Sequence, residues 1–213
     1  FYGCSKLRTL ITSSYSNLKT IGAYAFSECD SLAQPSIPKN VTSIGEGCFM
    51  NCDNLKYVSF YGAVEEYPKD CFRNCPNLIR TGGTAAAFGG LKCIGENAYA
   101  GCTTLQNSAS WSLGRYSNLE EIGAGAFNGC TSLTDSSLSA TVTSIGAGAF
   151  DGCTGLKEIT IPEQIVIIDE WAFNNCSGLK SVTIENSECN IVNSTSICNS
   201  YTTQANYSGI IYG

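Results

Sequence analysis

The sequence predicts an α/β repeat solenoid of about eight 23-residue units, each with short parallel strands and a single helical or 3₁₀ turn. A twelve-residue phrase, Ile-Gly-x-x-Ala-Phe-x-x-Cys-x-x-Leu, is first complete at Ile21 to Leu32 and returns from Ile44, Tyr67, Ile94, Ile122, Ile145 and Ile168. Its cysteine falls at Cys4, Cys29, Cys52, Cys75, Cys102, Cys130, Cys153 and Cys176, in steps of 25, 23, 23, 27, 28, 23 and 23 residues. A step of this size marks units that bury an apolar face only against their neighbours. The longer steps are insertions of two, four and five residues into a common template.

Each element follows from the unit. After the phrase comes Leu-x-x-Ile-x-Ile, clearest at Leu156 to Ile161 and Leu179 to Ile184, where β-branched residues alternate as in a strand. Before it comes Val-Thr-Ser-Ile, as at Val41 to Ile44 and Val142 to Ile145, a second short extended segment. Pro38 and Pro162 separate the two segments as turn residues. The Ala-Phe-x-x-Cys stretch is too short for a long helix and is expected to form one helical or 3₁₀ turn. Six of the seven residues before the cysteines of complete copies are Asn or Gly (Asn51, Asn74, Gly101, Gly129, Gly152, Asn175, against Glu28), which predicts a left-handed residue there. Pro68 and Asp169 replace the Gly that follows Ile, so close packing or turn shape, and not an obligatory positive φ, is expected to select that glycine. Stacked in register, Phe meets Phe, Cys meets Cys and Leu meets Leu at roughly the ~4.8 Å spacing of neighbouring strands.

The phrasing resembles the BspA-like leucine-rich repeats over about residues 1 to 184, with departures at Tyr67, Pro68, Tyr99 and Asp169 and in the weaker strands after Leu78, Leu105 and Leu133. The resemblance implies a right-handed leucine-rich-repeat stack on secreted or surface proteins of host-associated bacteria and some protozoa, often linked to adhesion. It implies no enzyme activity, cofactor or catalytic residue. Residues 1–184 are therefore expected to form the solenoid. The start at Phe1 to Leu7 matches the second half of a phrase, so the chain is expected to begin inside a unit. Residues 185–213 lose the phrase and are expected to form an irregular C-terminal cap or a degenerate repeat.

Composition narrows the function classes. Of 213 residues 14% are charged, and 18 acidic against 12 basic residues leave a net charge of -6 with no Lys/Arg cluster, which argues against nucleic acid as a partner. No apolar run reaches the ~18 to 20 residues that cross a bilayer. There is no histidine, so the commonest general acid/base and zinc nitrogen ligand are missing. The expectation is a non-enzymatic binding module, extracellular or on a cell surface, that takes a protein or glycan ligand of a host or neighbouring cell. A structural subunit that self-associates into a larger extracellular assembly is the alternative.

Thirteen cysteines invite a metal or disulfide reading. Cys48, Cys52, Cys71 and Cys75 form two matched pairs in adjacent units, but Cys48 and Cys71 occupy the small buried position held elsewhere by Ala25, Ala98, Ala126, Ala149 and Ala172, so they read as packed free thiols. Ladder disulfides are disfavoured because stacked Cβ vectors run parallel. Cys93 takes an outward strand position, and Cys189 with Cys198 is the candidate disulfide. The two largest insertions, 81–90 and 108–117, fall at the same point of consecutive units and should lie side by side. Phe88, Trp111, Arg115 and Tyr116 in them are hot-spot residue types and form the candidate partner-binding edge, unless Phe88 and Trp111 fold back over the weak strands.

Overall fold

The computed structural model describes residues 1–10, 17–107, 112–134 and 137–192. The chain winds as stacked coils whose strands pair only with those of neighbouring coils. On one side the Ile of each phrase closes a two-residue strand: β1 (Thr20–Ile21), β3 (Ser43–Ile44), β5 (Glu66–Tyr67), β7 (Cys93–Ile94), β8 (Glu121–Ile122), β9 (Ser144–Ile145), β11 (Ile167–Ile168) and β13 (Asn190–Ile191). On another lie β2 (Ser36–Ile37), β4 (Tyr57–Phe60), β6 (Arg80–Gly83), β10 (Glu158–Ile161) and β12 (Ser181–Ile184). Every pairing is parallel and in register, so that Glu66, Cys93, Glu121 and Ser144 form an outward column and Tyr67, Ile94, Ile122 and Ile145 an inward one. Alternation along each strand places the apolar member inside and its neighbour outside. Pairing of β13 with β11 carries the stack past the last complete phrase.

The phrase forms tight turns closed by i to i+3 bonds, as from the Ala126 and Asn128 N–H groups to the Gly123 and Gly125 carbonyls at 3.2 and 2.9 Å, in keeping with the single turn expected but without regular helix. Alternate N–H groups are bonded from coil to coil: those of Tyr24, Phe26 and Glu28 donate to the carbonyls of Glu46, Cys48 and Met50 at 2.8, 2.8 and 2.9 Å. Gly125, Phe127 and Gly129 do the same toward Ala147, Ala149 and Asp151 at 2.9, 2.7 and 2.7 Å. A helix would direct these groups to carbonyls four residues back. Left-handed residues turn them along the stack axis. The expected left-handed position before the cysteine is present in every complete copy, including Glu28 at φ 58°. A second one, four residues earlier, holds Tyr24, Gly47, Asp70, Asn97, Gly125, Gly148 and Trp171.

The glycine after Ile is selected by close approach, as expected. A Cβ at Gly146 would lie 2.6 Å from the Ala124 nitrogen, and one at Gly45 would lie 2.2 Å from that of Ala23.

Inside, the rings of Phe26, Phe49, Phe72, Tyr99, Phe127, Phe150 and Phe173 stack at centroid spacings of 5.1 to 5.7 Å, and the exposed ring of Phe1 extends the column at 5.5 Å from Phe26. Such pairs add ~0.5 to 1.5 kcal/mol beyond burial alone. From Cys29 onward each ladder cysteine donates its thiol to the carbonyl of the ring-bearing residue one coil back, among them Cys52 to Phe26 at 3.0 Å, Cys102 to Phe72 at 3.1 Å, Cys153 to Phe127 at 3.2 Å and Cys176 to Phe150 at 3.1 Å. The thiol is the donor to the Phe26 and Phe72 carbonyls and a second donor to those of Phe127 and Phe150, which also accept the N–H of Cys130 and Cys153 at 3.0 and 3.1 Å; alanine could supply none of these bonds.

Candidate binding surface

The two insertions do lie side by side. The first folds into β6 and the short helix α1 (Ala85–Gly90), the second into a 3₁₀ turn over Leu113–Arg115, and Asn118 Nδ2 donates to the Gly89 carbonyl at 2.7 Å to tie them together. Two of the expected edge residues are nevertheless buried. Phe88 is 6% exposed and Tyr116 0%, with ring centroids 5.1 Å apart. The reason is local: β6 ends in Gly82 and Gly83, and the Phe88 ring takes the space where a Cβ on Gly82 would come within 2.7 Å of it. Tyr116 packs edge-on against Tyr67, which meets Tyr99 in the same way, so the two tyrosines that depart from the phrase fill the widened coils beneath the insertions. Thr81 and Tyr99 share a hydrogen bond within that cluster. Arg115 is exposed and lies with its guanidinium 4.9 Å from the Phe88 ring centroid. Trp111 lies outside the described residues, as does Cys198. Cys189 is half-buried, and burial raises its thiol pKa.

Most of the other described thiols are buried, Cys4 being exposed and Cys93 half-buried. Burial pushes Cys102 up to about 12 and Cys29 to about 11, and raises Cys48 and Cys71 as well. Cys93 stands half-buried in the outward column between Glu66 and Glu121. Burial first, then those two carboxylates, push its thiol up to about 12. No cluster of metal-ligating side chains occurs among the described residues, and no helix among them is long and apolar enough to cross a membrane.

A surface the sequence reading missed runs along the outer face of the turns. Toward the N-terminal end its polar groups pair off: the Tyr24 hydroxyl donates to Glu46 Oε1 at 2.7 Å and Lys69 lies 3.0 Å from Glu96. Farther along, a trough of about 390 Å³ opens, lined by Glu96, Asn97, Ala124, Gly125, Asn128, Ala147, Gly148, Asp151, Trp171 and Asn174. Trp171 is 50% exposed at φ 57°. One signal could have found it: Trp171 stands where three other copies carry Gly.

The chain matches the model of the BspA type leucine-rich repeat region over residues 1–106 and 92–210, in six copies. No curated protein matches it. A leucine-rich repeat protein from Bacteroides ovatus superposes with a TM-score of 0.63 at 22% identity, over 86% of this chain and 58% of that one. One from Eubacterium ventriosum gives 0.54 at 31% identity over 64% and 35%, and the pneumococcal vaccine antigen PcpA gives 0.52 at 22% over 86% and 54%. The chain thus spans little more than half the length of the first of these structures. The coil-to-coil ladders, the repeated phrase and the extent of the match agree: this chain belongs to the BspA-type leucine-rich repeat family.

Proposed function

We propose that the chain is a non-enzymatic binding module, presented outside the cell or on its surface, that offers its coil faces to a protein or glycan partner. One observation carries the reading: the repeated side chains are used up by stacking, with rings on rings and thiols on carbonyls, so chemistry is left to the outer faces. The absence of histidine and the raised thiols of Cys93 and Cys102 weigh against catalysis. Proteins of this family are generally binding or surface proteins. The test is saturable binding of the labelled chain to intact host or bacterial cells, competed by unlabelled chain. Uncompeted or absent binding overturns the reading.

A second reading, self-association in an extracellular assembly, draws on Val166, Ile167 and Val192, which are 57%, 49% and 43% exposed near the C-terminal end of the described stack. Sedimentation of a monomer across concentrations, with and without reductant, excludes it.

A further inference from the structure

We infer that the trough beside Trp171 is a subsite for a neutral saccharide of one or two hexose rings. The inference deepens the binding-module reading and rests on it. The floor is backbone and small side chains: a Cβ built on Gly148 would find nothing nearer than Asp151 Cβ at 3.9 Å, so the space above it is open. By contrast, Asn97 covers Gly125 and the Tyr24 ring covers Gly47 in the same column, at 2.4 and 2.3 Å from a built Cβ. Trp171 forms one wall. Its φ of 57° is a conformation bulky residues avoid and that glycine adopts at Gly47, Gly125 and Gly148 in equivalent coils. Tyr24 holds the same position at φ 54°, but its ring covers Gly47 and its hydroxyl bonds Glu46, whereas the Trp171 ring stands half exposed beside the open floor at Gly148.

The polar rail supplies the other half of sugar recognition. Asp151 Oδ1 accepts from Asn174 Nδ2 and Asn175 Nδ2, each at 3.0 Å, and its Oδ2 accepts from Asn128 Nδ2 at 3.3 Å. Three amides thus hold one carboxylate in a fixed plane with acceptor capacity to spare. A pyranose presents an apolar C–H face and a rim of hydroxyls, matching an indole wall and an oriented carboxylate-amide rail. An acidic sugar is disfavoured because Asp151 lines the trough with no basic side chain among the lining residues, Lys69 being paired with Glu96 at 3.0 Å. A peptide strand fits less well: the floor N–H groups of Gly125 and Gly148 are already bonded to the carbonyls of Ala147 and Glu170, each at 2.9 Å.

Saturation-transfer NMR with maltose, cellobiose, lactose and diacetylchitobiose, each up to ~10 mM as befits a shallow site, tests the inference. The expected result is transfer to the ring C–H protons of at least one of these sugars and none to galacturonic acid. Trp171→Gly, which suits the left-handed backbone, and Gly148→Asn, which fills the floor with a residue that also tolerates it, should each weaken the affinity at least tenfold without lowering the melting midpoint. Silence from all four neutral sugars, or transfer undiminished in both variants, overturns the subsite. Competed cell binding by a wild-type chain that ignores the sugars sinks the trough alone. Sugar binding without cell binding sinks the surface-module reading alone.

Discussion

At the residue scale the cysteine of the phrase has a chemical task beyond size. Cys153 buries a thiol whose proton gives the Phe127 carbonyl a second hydrogen bond, at 3.2 Å, beside that from the Cys130 N–H at 3.0 Å, and Cys153→Ala removes that donor and leaves a void. A loss of at least ~0.5 to 1.5 kcal/mol, the net worth of one hydrogen bond, is expected from denaturant melts, with Cys153→Ser, which keeps a donor, losing less. Equal stability of Cys153→Ala and wild type would contradict this role. The same thiols set an alkaline limit. Burial raises their pKa in the folded chain above the unfolded value near ~8.5, to about 11 at Cys29 and about 12 at Cys102. The folded state therefore holds more protons, so stability is full below pH ~8.5 and declines as pH climbs toward the folded values. Melting midpoints that stay flat from pH 8 to pH 11 would argue otherwise. The position of these cysteines was legible in the sequence because the period is strict. Their bonding was not, because no pattern of residue types reveals which way a turn carbonyl faces.

At the scale of the element, the phrase and the insertions are where local signals mislead. Ala-Phe-x-x-Cys has the length of a helical turn, yet left-handed residues at both ends redirect alternate N–H groups along the stack. The position before the cysteine was legible because Asn and Gly fill it almost throughout. Its companion was not, because Tyr24, Asp70 and Trp171 mask the glycine signal of Gly47, Gly125 and Gly148. The glycine after Ile offers a sharp comparison. Gly22→Ala, with nothing within 4 Å of the added Cβ, should shift stability by no more than ~0.5 kcal/mol. Gly146→Ala, forced against the Ala124 backbone at 2.6 Å, should cost ~1 to 3 kcal/mol. Similar melts for the two would remove close packing as the reason for that glycine. In the insertions, composition marked Phe88 and Tyr116 as contact types but could not tell a partner's surface from the chain's own glycine gap at Gly82 and Gly83. Phe88→Ala should accordingly cost ~3 to 5 kcal/mol of folding stability, the penalty of a large-to-small core change. A melt unchanged from wild type would return Phe88 to the surface.

For the whole molecule, the repeat period alone implies a stack, in-register ladders and an interior without room for a site. What the period cannot show is which outer face differs from coil to coil, because function there depends on departures from the repeat, such as Trp171 following Gly125 and Gly148, and Asp151 between Asn128 and Asn174. The central claim is that neighbouring coils are joined through the phrase as well as through the strands. Amide hydrogen exchange on the intact chain measures this directly. The N–H groups of Phe49, Phe72, Tyr99, Phe127 and Phe150, which donate to the next coil at 2.7 to 2.8 Å, should be as strongly protected as the strand amides of β10 and β12, exchanging only with opening of the stack. Fast exchange at these five positions while the strands stay protected would show the turns to be unbonded between coils, and would contradict the account.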